Sequence, residues 1–281
     1  MIWKIRRNIV SFDRAILMGV LNITPDSFSD GGHFLDPQAA YARALQMIQE
    51  GADILDLGAE STRPGAEPVK AKDELERLLP VVTLLQKEKR VPISIDTTKP
   101  EVAKKCLEAG ADIINDVSGL KRSGVEMAKV VQRFGAGLVL MHSRGTPETM
   151  HALTNYKDMI AEILEELRES VEIAAKAGVE HGQILIDPGL GFSKTAEQNL
   201  EILRSLKAFQ GLGFPVMLGP SRKSFLGYVT GREVGEREFG TAACVALAVE
   251  QGVQILRVHE VKAMRDVIRT TEAIKKIKPV A

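Results

Sequence analysis

The 281-residue chain balances 37 Lys and Arg against 37 Asp and Glu, with no long run of either sign, which argues against a general nucleic-acid surface. No apolar stretch is long enough to span a bilayer, and the basic start, Met-Ile-Trp-Lys-Ile-Arg-Arg, has neither an apolar core nor a cleavage site after it. A cytoplasmic protein without membrane contact is expected. Cys106 and Cys244 fall in helix-like segments, which suggests small buried hydrophobes and not a disulfide or metal pair.

In chain order, residues 2–12 alternate weakly and read as an extended or hairpin lead-in placed to plug the bottom of a barrel. Eight short runs of Ile, Leu, Val and Met follow. They close at or just before Asn22, Thr62 and Arg63, Asp96, Asn115 and Asp116, His142, Asp187, Lys223, and Arg257 to His259. Continuous apolar runs are the mark of parallel strands buried on both faces. Helix-patterned stretches separate them. One begins near Pro37 with Asp36 as its N-cap, and the clearest spans residues 157–177. Glu50-Gly51, Ala109-Gly110, Ala177-Gly178 and Gln251-Gly252 punctuate helix ends before the next strand. The order strand, loop, helix, repeated eight times, predicts a (β/α)₈ barrel over residues 1–281 as one domain, near the usual size of roughly 250 residues.

In such a barrel the site lies at the carboxyl ends of the strands, where every polar cluster named above falls. The long loop from Asn22 to His33 and the loop from Glu60 to Gly65 are rich in turn formers. Arg63, Arg257 and His259, near neighbouring strand ends, suit one anion such as a phosphate. Asp96, Asn115 and Asp187 end the third, fourth and sixth barrel strands. Together they form a ring of acceptors that a flat heterocycle with several N–H groups would satisfy, with Met141 and Phe192 covering its face. There is no Gly-x-Ser-x-Gly elbow, His-x-His pair or Gly-x₄-Gly-Lys loop, and Gly189-Leu-Gly191 alone reads as a tight turn.

Over essentially its whole length the chain resembles the dihydropteroate synthases. The resemblance rests first on Met18-Gly-Val-Leu-Asn-Ile-Thr-Pro-Asp-Ser-Phe-Ser-Asp-Gly-Gly32 and Gly58-Ala-Glu-Ser-Thr-Arg-Pro-Gly65. It continues through Ser94-Ile-Asp-Thr97, Ile114-Asn-Asp-Val-Ser-Gly119, Asp187-Pro-Gly-Leu-Gly-Phe192, Ser221-Arg-Lys-Ser-Phe225 and Arg257-Val-His259. Two departures are slight: Glu260 follows His259 where Asp is expected, and Ser143 follows His142.

The resemblance implies transfer of a dihydropterin-6-ylmethyl group from its diphosphate to 4-aminobenzoate. It implies that Asp96, Asn115, Asp187 and Lys223 hold the pterin, with Arg257 on or beside its ring and Lys223, Asp96 and Arg257 serving catalysis. Asn22 would ligate Mg²⁺, and Arg63, Arg257 and His259 would bind diphosphate. Phe28, Thr62, Pro64 and Ser224 would form the aminobenzoate pocket. A homodimer and sulfonamide sensitivity are implied in the same way. Two other readings remain: a methyltransferase passing a methyl group from a reduced folate to a corrinoid protein, which has no use for Asn22, Arg63 and His259, and a pterin binder without turnover.

Overall fold

The computed structural model describes residues 1–6, 8–24, 36–60, 68–88 and 90–276. The lead-in is a hairpin, β1 (Ile2–Ile5) antiparallel to β2 (Asn8–Ser11). The apolar runs follow as β3 (Ile16–Asn22), β4 (Ile54–Gly58), β5 (Ile93–Asp96), β6 (Ile113–Asp116), β7 (Gly137–Met141), β8 (Ile184–Asp187), β9 (Met217–Leu218) and β10 (Ile255–Val258). These strands pair in parallel in the order β8-β7-β6-β5-β4-β3-β10-β9. A parallel bridge between Ile186 and Val216, with Ile186 N–H donating to the Pro215 carbonyl at 3.0 Å, closes the ring. The expected (β/α)₈ barrel is the observed fold.

The helices are α1 (Pro37–Gln49), α2 (Ala71–Glu88), α3 (Pro100–Glu108), α4 (Gly124–Phe134), α5 (Met159–Lys176), α6 (Ala196–Arg204), α7 (Leu206–Gln210), α8 (Ser224–Thr230), α9 (Glu238–Glu250) and α10 (Val261–Lys276). Helix α1 starts as its sequence demands: the Asp36 carboxylate accepts from Gln38 N–H at 2.8 Å, and Pro37 opens the first turn, where no N–H is needed. The repeated helix–Gly–strand punctuation has one physical cause. Gly51, Gly110, Gly178 and Gly252 all lie at positive φ (105°, 115°, 89° and 85°), which turns each helix back towards the sheet. No helix among the described residues is long and apolar enough to cross a membrane.

Two apolar layers hold the fold. One lies between strands and helices; the other fills the lower interior of the barrel with Ile16, Met18, Ile54, Ile113, Val139, Leu185, Met217 and Ile255. The hairpin completes the second layer. Trp3 and Ile5 are fully buried there, and Trp3 Nε1 donates to the Gln183 carbonyl at 2.7 Å. Gly137 makes room for them, since a Cβ on it would stand 2.6 Å from Ile5 Cγ2 and 3.0 Å from Trp3 Cζ2. The hairpin thus plugs the bottom, as the sequence predicts. Side chains two apart on a strand share a face. One step of two towards the carboxyl end leads from Ile54 to Asp56, Ile113 to Asn115, Leu185 to Asp187 and Ile255 to Arg257. The interior turns from apolar to polar in a single layer.

Candidate active site

That polar layer is tied together across the barrel. Arg257 Nε donates to Asp56 Oδ2 at 2.6 Å and its Nη2 to Asp96 Oδ2 at 2.9 Å. Asn115 Nδ2 donates to the same Asp56 oxygen at 3.2 Å. The second Asp56 oxygen, Asn115 Oδ1 and Ser94 Oγ are buried and have no hydrogen-bond partner. Buried polar atoms in native proteins are nearly always paired, so acceptors left open beside a cleft point to a ligand that donates N–H groups. Asp187 Oδ1 accepts from Gly189 N–H at 2.7 Å.

Burial dominates the electrostatics. It pushes Asp187 up to about 6, against Gly189 N–H and the Lys223 and Arg257 cations. It pushes Asp96 up to about 7 against Arg257, with help from the Asp56 carboxylate. Lys223 is pulled down to about 8 by burial and by Arg257. Groups poised this close to neutrality are characteristic of functional clefts.

The cleft above this layer encloses about 380 Å³, counting the part open to solvent. Seven residues singled out in the sequence line it: Asp96, Asn115, Met141, Asp187, Phe192, Lys223 and Arg257. Val117, Leu190, Met217 and Gly219 complete the wall. Lys223 arrives from beyond β9, which is only two residues long, and its side chain crosses Phe192 with Nζ 4.2 Å from the ring centroid. The turn that carries it is braced by Arg222, at φ 59°, whose Nε donates to Glu260 Oε1 at 2.6 Å. Ser221 Oγ lies 2.8 Å from His259 Nδ1 and 3.1 Å from Glu260 Oε2. Glu260, the departure from the expected Asp, therefore joins the seventh and eighth loops.

Asn22, Gly58 and Asp96 lie side by side in register on β3, β4 and β5. A Cβ on Gly58 would stand 3.8 Å from both Asn22 Oδ1 and Asp96 Oδ2. The missing side chain leaves a cradle beside Asn22 Oδ1, a hard oxygen donor that suits magnesium, a cation that takes few protein ligands and keeps several waters. Asp96 Oδ2, across the cradle, is taken by Arg257. Among the described residues no three His, Cys, Asp or Glu side chains group as a metal site. Phe28, Thr62, Arg63 and Pro64 lie outside the described residues, and Ser224 opens α8 directly after Lys223. Of the three groups expected to share one anion, Arg257 turns inward to Asp56 and Asp96, while His259 is braced by Ser221.

Sequence reasoning missed Asp56. A carboxylate inside the apolar run Ile54-Leu55-Asp56-Leu57 of a strand buried on both faces has to point into the interior or among the helices, and it requires a cation there. That signal was present, but attention to strand ends passes over it.

Residues 18–259 match the family described as pterin binding enzyme. A dihydropteroate synthase of Synechocystis sp. is 47% identical over 262 residues, covering 93% of this chain and 90% of the relative. The Clostridium difficile dihydropteroate synthase, solved in the presence of pteroic acid, superposes with a TM-score of 0.88 at 43% identity, covering 94% of this chain and 98% of that one. The Thermus thermophilus enzyme in complex with 4-aminobenzoate gives a TM-score of 0.86 at 41% identity, covering 98% and 100%. With its barrel, its strand-end motifs and a polar cleft open to N–H donors, the chain belongs to the dihydropteroate synthase family of pterin-binding enzymes.

Proposed function

We propose that the barrel, acting as one catalytic domain, condenses 7,8-dihydropterin-6-ylmethyl diphosphate with 4-aminobenzoate, giving 7,8-dihydropteroate and diphosphate. The observation that carries this reading is the open buried acceptor Asn115 Oδ1 in a cleft shared with Asp187, Asp96 and Lys223. A pterin presents an amine and ring N–H groups along one edge. Asp187 and Asn115 accept from that edge, Lys223 donates to it, and Met141 and Phe192 cover the ring. Arg257, locked by Asp56 and Asp96, lies beside the ring as a fixed cation.

In the transfer, the bond between the pterin methylene carbon and the diphosphate oxygen breaks, and its electron pair leaves with diphosphate. The pterin ring shares the positive charge left behind, which the Asp96 carboxylate stabilises through space. The 4-aminobenzoate nitrogen then supplies its lone pair to the methylene carbon and releases a proton to solvent. Arg63 and His259 hold the departing diphosphate. A magnesium ion held by Asn22 would neutralise diphosphate charge as it develops. Phe28, Thr62, Pro64 and Ser224 shape the aminobenzoate pocket, so sulfonamides, which mimic aminobenzoate, compete there. Aminobenzoate adds after the pterin substrate.

We also assign a homodimer to the face formed by α8 and α9. Helix α9 is apolar nearly all round, and Phe239 on it is 89% exposed, with Tyr228, Val229 and Leu247 also exposed nearby in sequence. An apolar helix left open in this way is the kind of surface that a second copy covers. Sedimentation of the wild type against Phe239→Glu tests it. The reaction takes place in the cytoplasm on this reading.

The deciding experiment measures diphosphate release from the pterin substrate with and without aminobenzoate and Mg²⁺. Release that requires both, with dihydropteroate formed, supports the synthase. Pterin binding without release points instead to the corrinoid methyltransferase or a silent binder.

A further inference from the structure

A buried polar cluster behind the cleft has no part in the chemistry above. His142, directly after β7, has a fully buried side chain, and Lys194, in the loop after β8, is 9% exposed. Lys194 Nζ lies 2.9 Å from His142 Nδ1 and donates to the Phe192 carbonyl at 2.9 Å. A lysine head group has N–H donors to give, so His142 Nδ1 is the acceptor and its proton sits on Nε2, which lies 3.3 Å from Glu166 Oε2 but makes no aligned hydrogen bond. Burial and the Lys194 charge hold His142 far down, to about 3, so the ring stays neutral. Burial also lowers Lys194, to about 7, against the pull of Asp187 and Glu166; even a neutral amine keeps the two N–H groups that both bonds need.

The loop held by this pair is the one that shapes the cleft. It runs through three left-handed residues, Gly189 at φ 72°, Gly191 at 79° and Ser193 at 51°. A Cβ on Gly189 would stand 2.0 Å from the His142 carbonyl oxygen, and one on Gly191 would stand 3.1 Å from Lys223 Cδ. The loop is therefore pressed between the end of β7 on one side and Lys223 on the other. Ser193 fixes its far end: Oγ accepts from Arg144 N–H at 2.7 Å, and the Ser193 carbonyl accepts from Tyr156 Oη at 3.0 Å. Phe192 sits between these anchors, with its ring in the cleft under Lys223 Nζ.

We infer that Lys194 is a positioning residue for the pterin cleft: by bonding the Phe192 carbonyl and His142 at once, it fixes the Phe192 ring and, through it, the Lys223 ammonium. It does not touch substrate. The inference rests on the pterin reading of the cleft, and a wild-type protein that fails to bind pterin diphosphate would sink that reading itself.

Lys194→Met keeps the length of the side chain and removes both donors. The substitution leaves the buried Phe192 carbonyl and His142 Nδ1 without a donor, so a lowered unfolding temperature is expected, in a protein still folded at assay temperature. The KM for pterin diphosphate rises by about tenfold or more, because small displacements of positioning groups are costly, while kcat changes far less. A folded variant whose KM stays within about twofold of wild type overturns the inference. Should the variant not fold, nitrogen NMR of the wild type decides. His142, one of five histidines, is expected as the Nε2–H tautomer across neutral pH and down to about pH 5. A proton on Nδ1, or titration near the ordinary value of about 6.5, removes the acceptor for Lys194 and overturns the inference.

Discussion

Arg257 Nε reaches Asp56 Oδ2 at 2.6 Å through the inside of the barrel, tying β10 to β4, two strands separated by β3. The same guanidinium donates to Asp96 on β5, so one cation draws three strands of the polar layer together. Asp56 and Asp96 raise the basicity of Arg257 against its burial, and the guanidinium stays charged. The cleft is thus bounded on one side by a guanidinium that two carboxylates hold.

Removing the central carboxylate exposes that dependence. Asp56→Ala leaves Arg257 buried with half its charge partners and Asn115 Nδ2 without its acceptor. Breaking a buried pair on one side costs about 3–5 kcal/mol. Urea unfolding is expected to show a loss of that order, and pteroate titration a large loss of affinity. A drop below about 1 kcal/mol with intact binding would mean that Asp96 alone holds the guanidinium.

Asp187 illustrates a conflict between stability and function. Burial raises its folded pKa to about 6, above the ordinary carboxylate range, so between those values the folded state binds more protons than the unfolded. Stability attributable to this group consequently increases as pH falls through about 6 towards the ordinary carboxylate value of about 4, and the charged form is destabilising above about 6. Asp187→Asn is expected to gain on the order of 1–3 kcal/mol at pH 7, since a pKa unit corresponds to about 1.4 kcal/mol. Pterin binding should weaken in the variant, and wild-type binding should fall on the acid side as Asp187 protonates. A variant that is less stable than wild type at pH 7 would refute the sign.

The cradle beside Gly58 can be filled without straining the backbone. An added methyl meets Asp96 Cβ at 3.6 Å and the Asn22 and Asp96 oxygens at 3.8 Å, all ordinary contacts. Gly58→Ala should therefore fold with an unchanged melting temperature, while the Mg²⁺ concentration for half-maximal diphosphate release rises several-fold. An unchanged Mg²⁺ requirement would move the metal away from Asn22.

The barrel was legible because the barrel strands are buried on both faces and a glycine closes several of the helices that lead back to them, two patterns that physical necessity writes locally into the chain. Asp96, Asn115 and Asp187 were legible for the same reason, as polar residues that terminate apolar runs. Asp56 was not, since it sits within a run, and only closure of the barrel shows that Ile54, Asp56 and Gly58 face inward. Lys194 was hidden differently: nothing local distinguishes it from a surface lysine, and its burial depends on the end of β7 packing against a loop more than forty residues further on. The span of α5 differs by two residues at its start from the periodicity of 157–177, because Asp158 caps it by accepting from Ala161 N–H at 3.1 Å.

The plug at the other end of the barrel offers a control in which stability and chemistry separate. Trp3 is the only tryptophan, fully buried among Ile16, Met18, Ile54 and Ile113 and bonded to the Gln183 carbonyl. Trp3→Ala removes a large core side chain and leaves that carbonyl without its donor, at a cost of about 3–5 kcal/mol. The polar layer stands above the apolar one that Trp3 completes, so KM for both substrates should remain within about threefold of wild type at temperatures where the variant is folded. Denaturation followed by far-ultraviolet circular dichroism gives the first number and steady-state kinetics the second. A variant that keeps its stability but loses pterin affinity would show that the hairpin shapes the cleft from below, and the separation of the two layers would have to be abandoned.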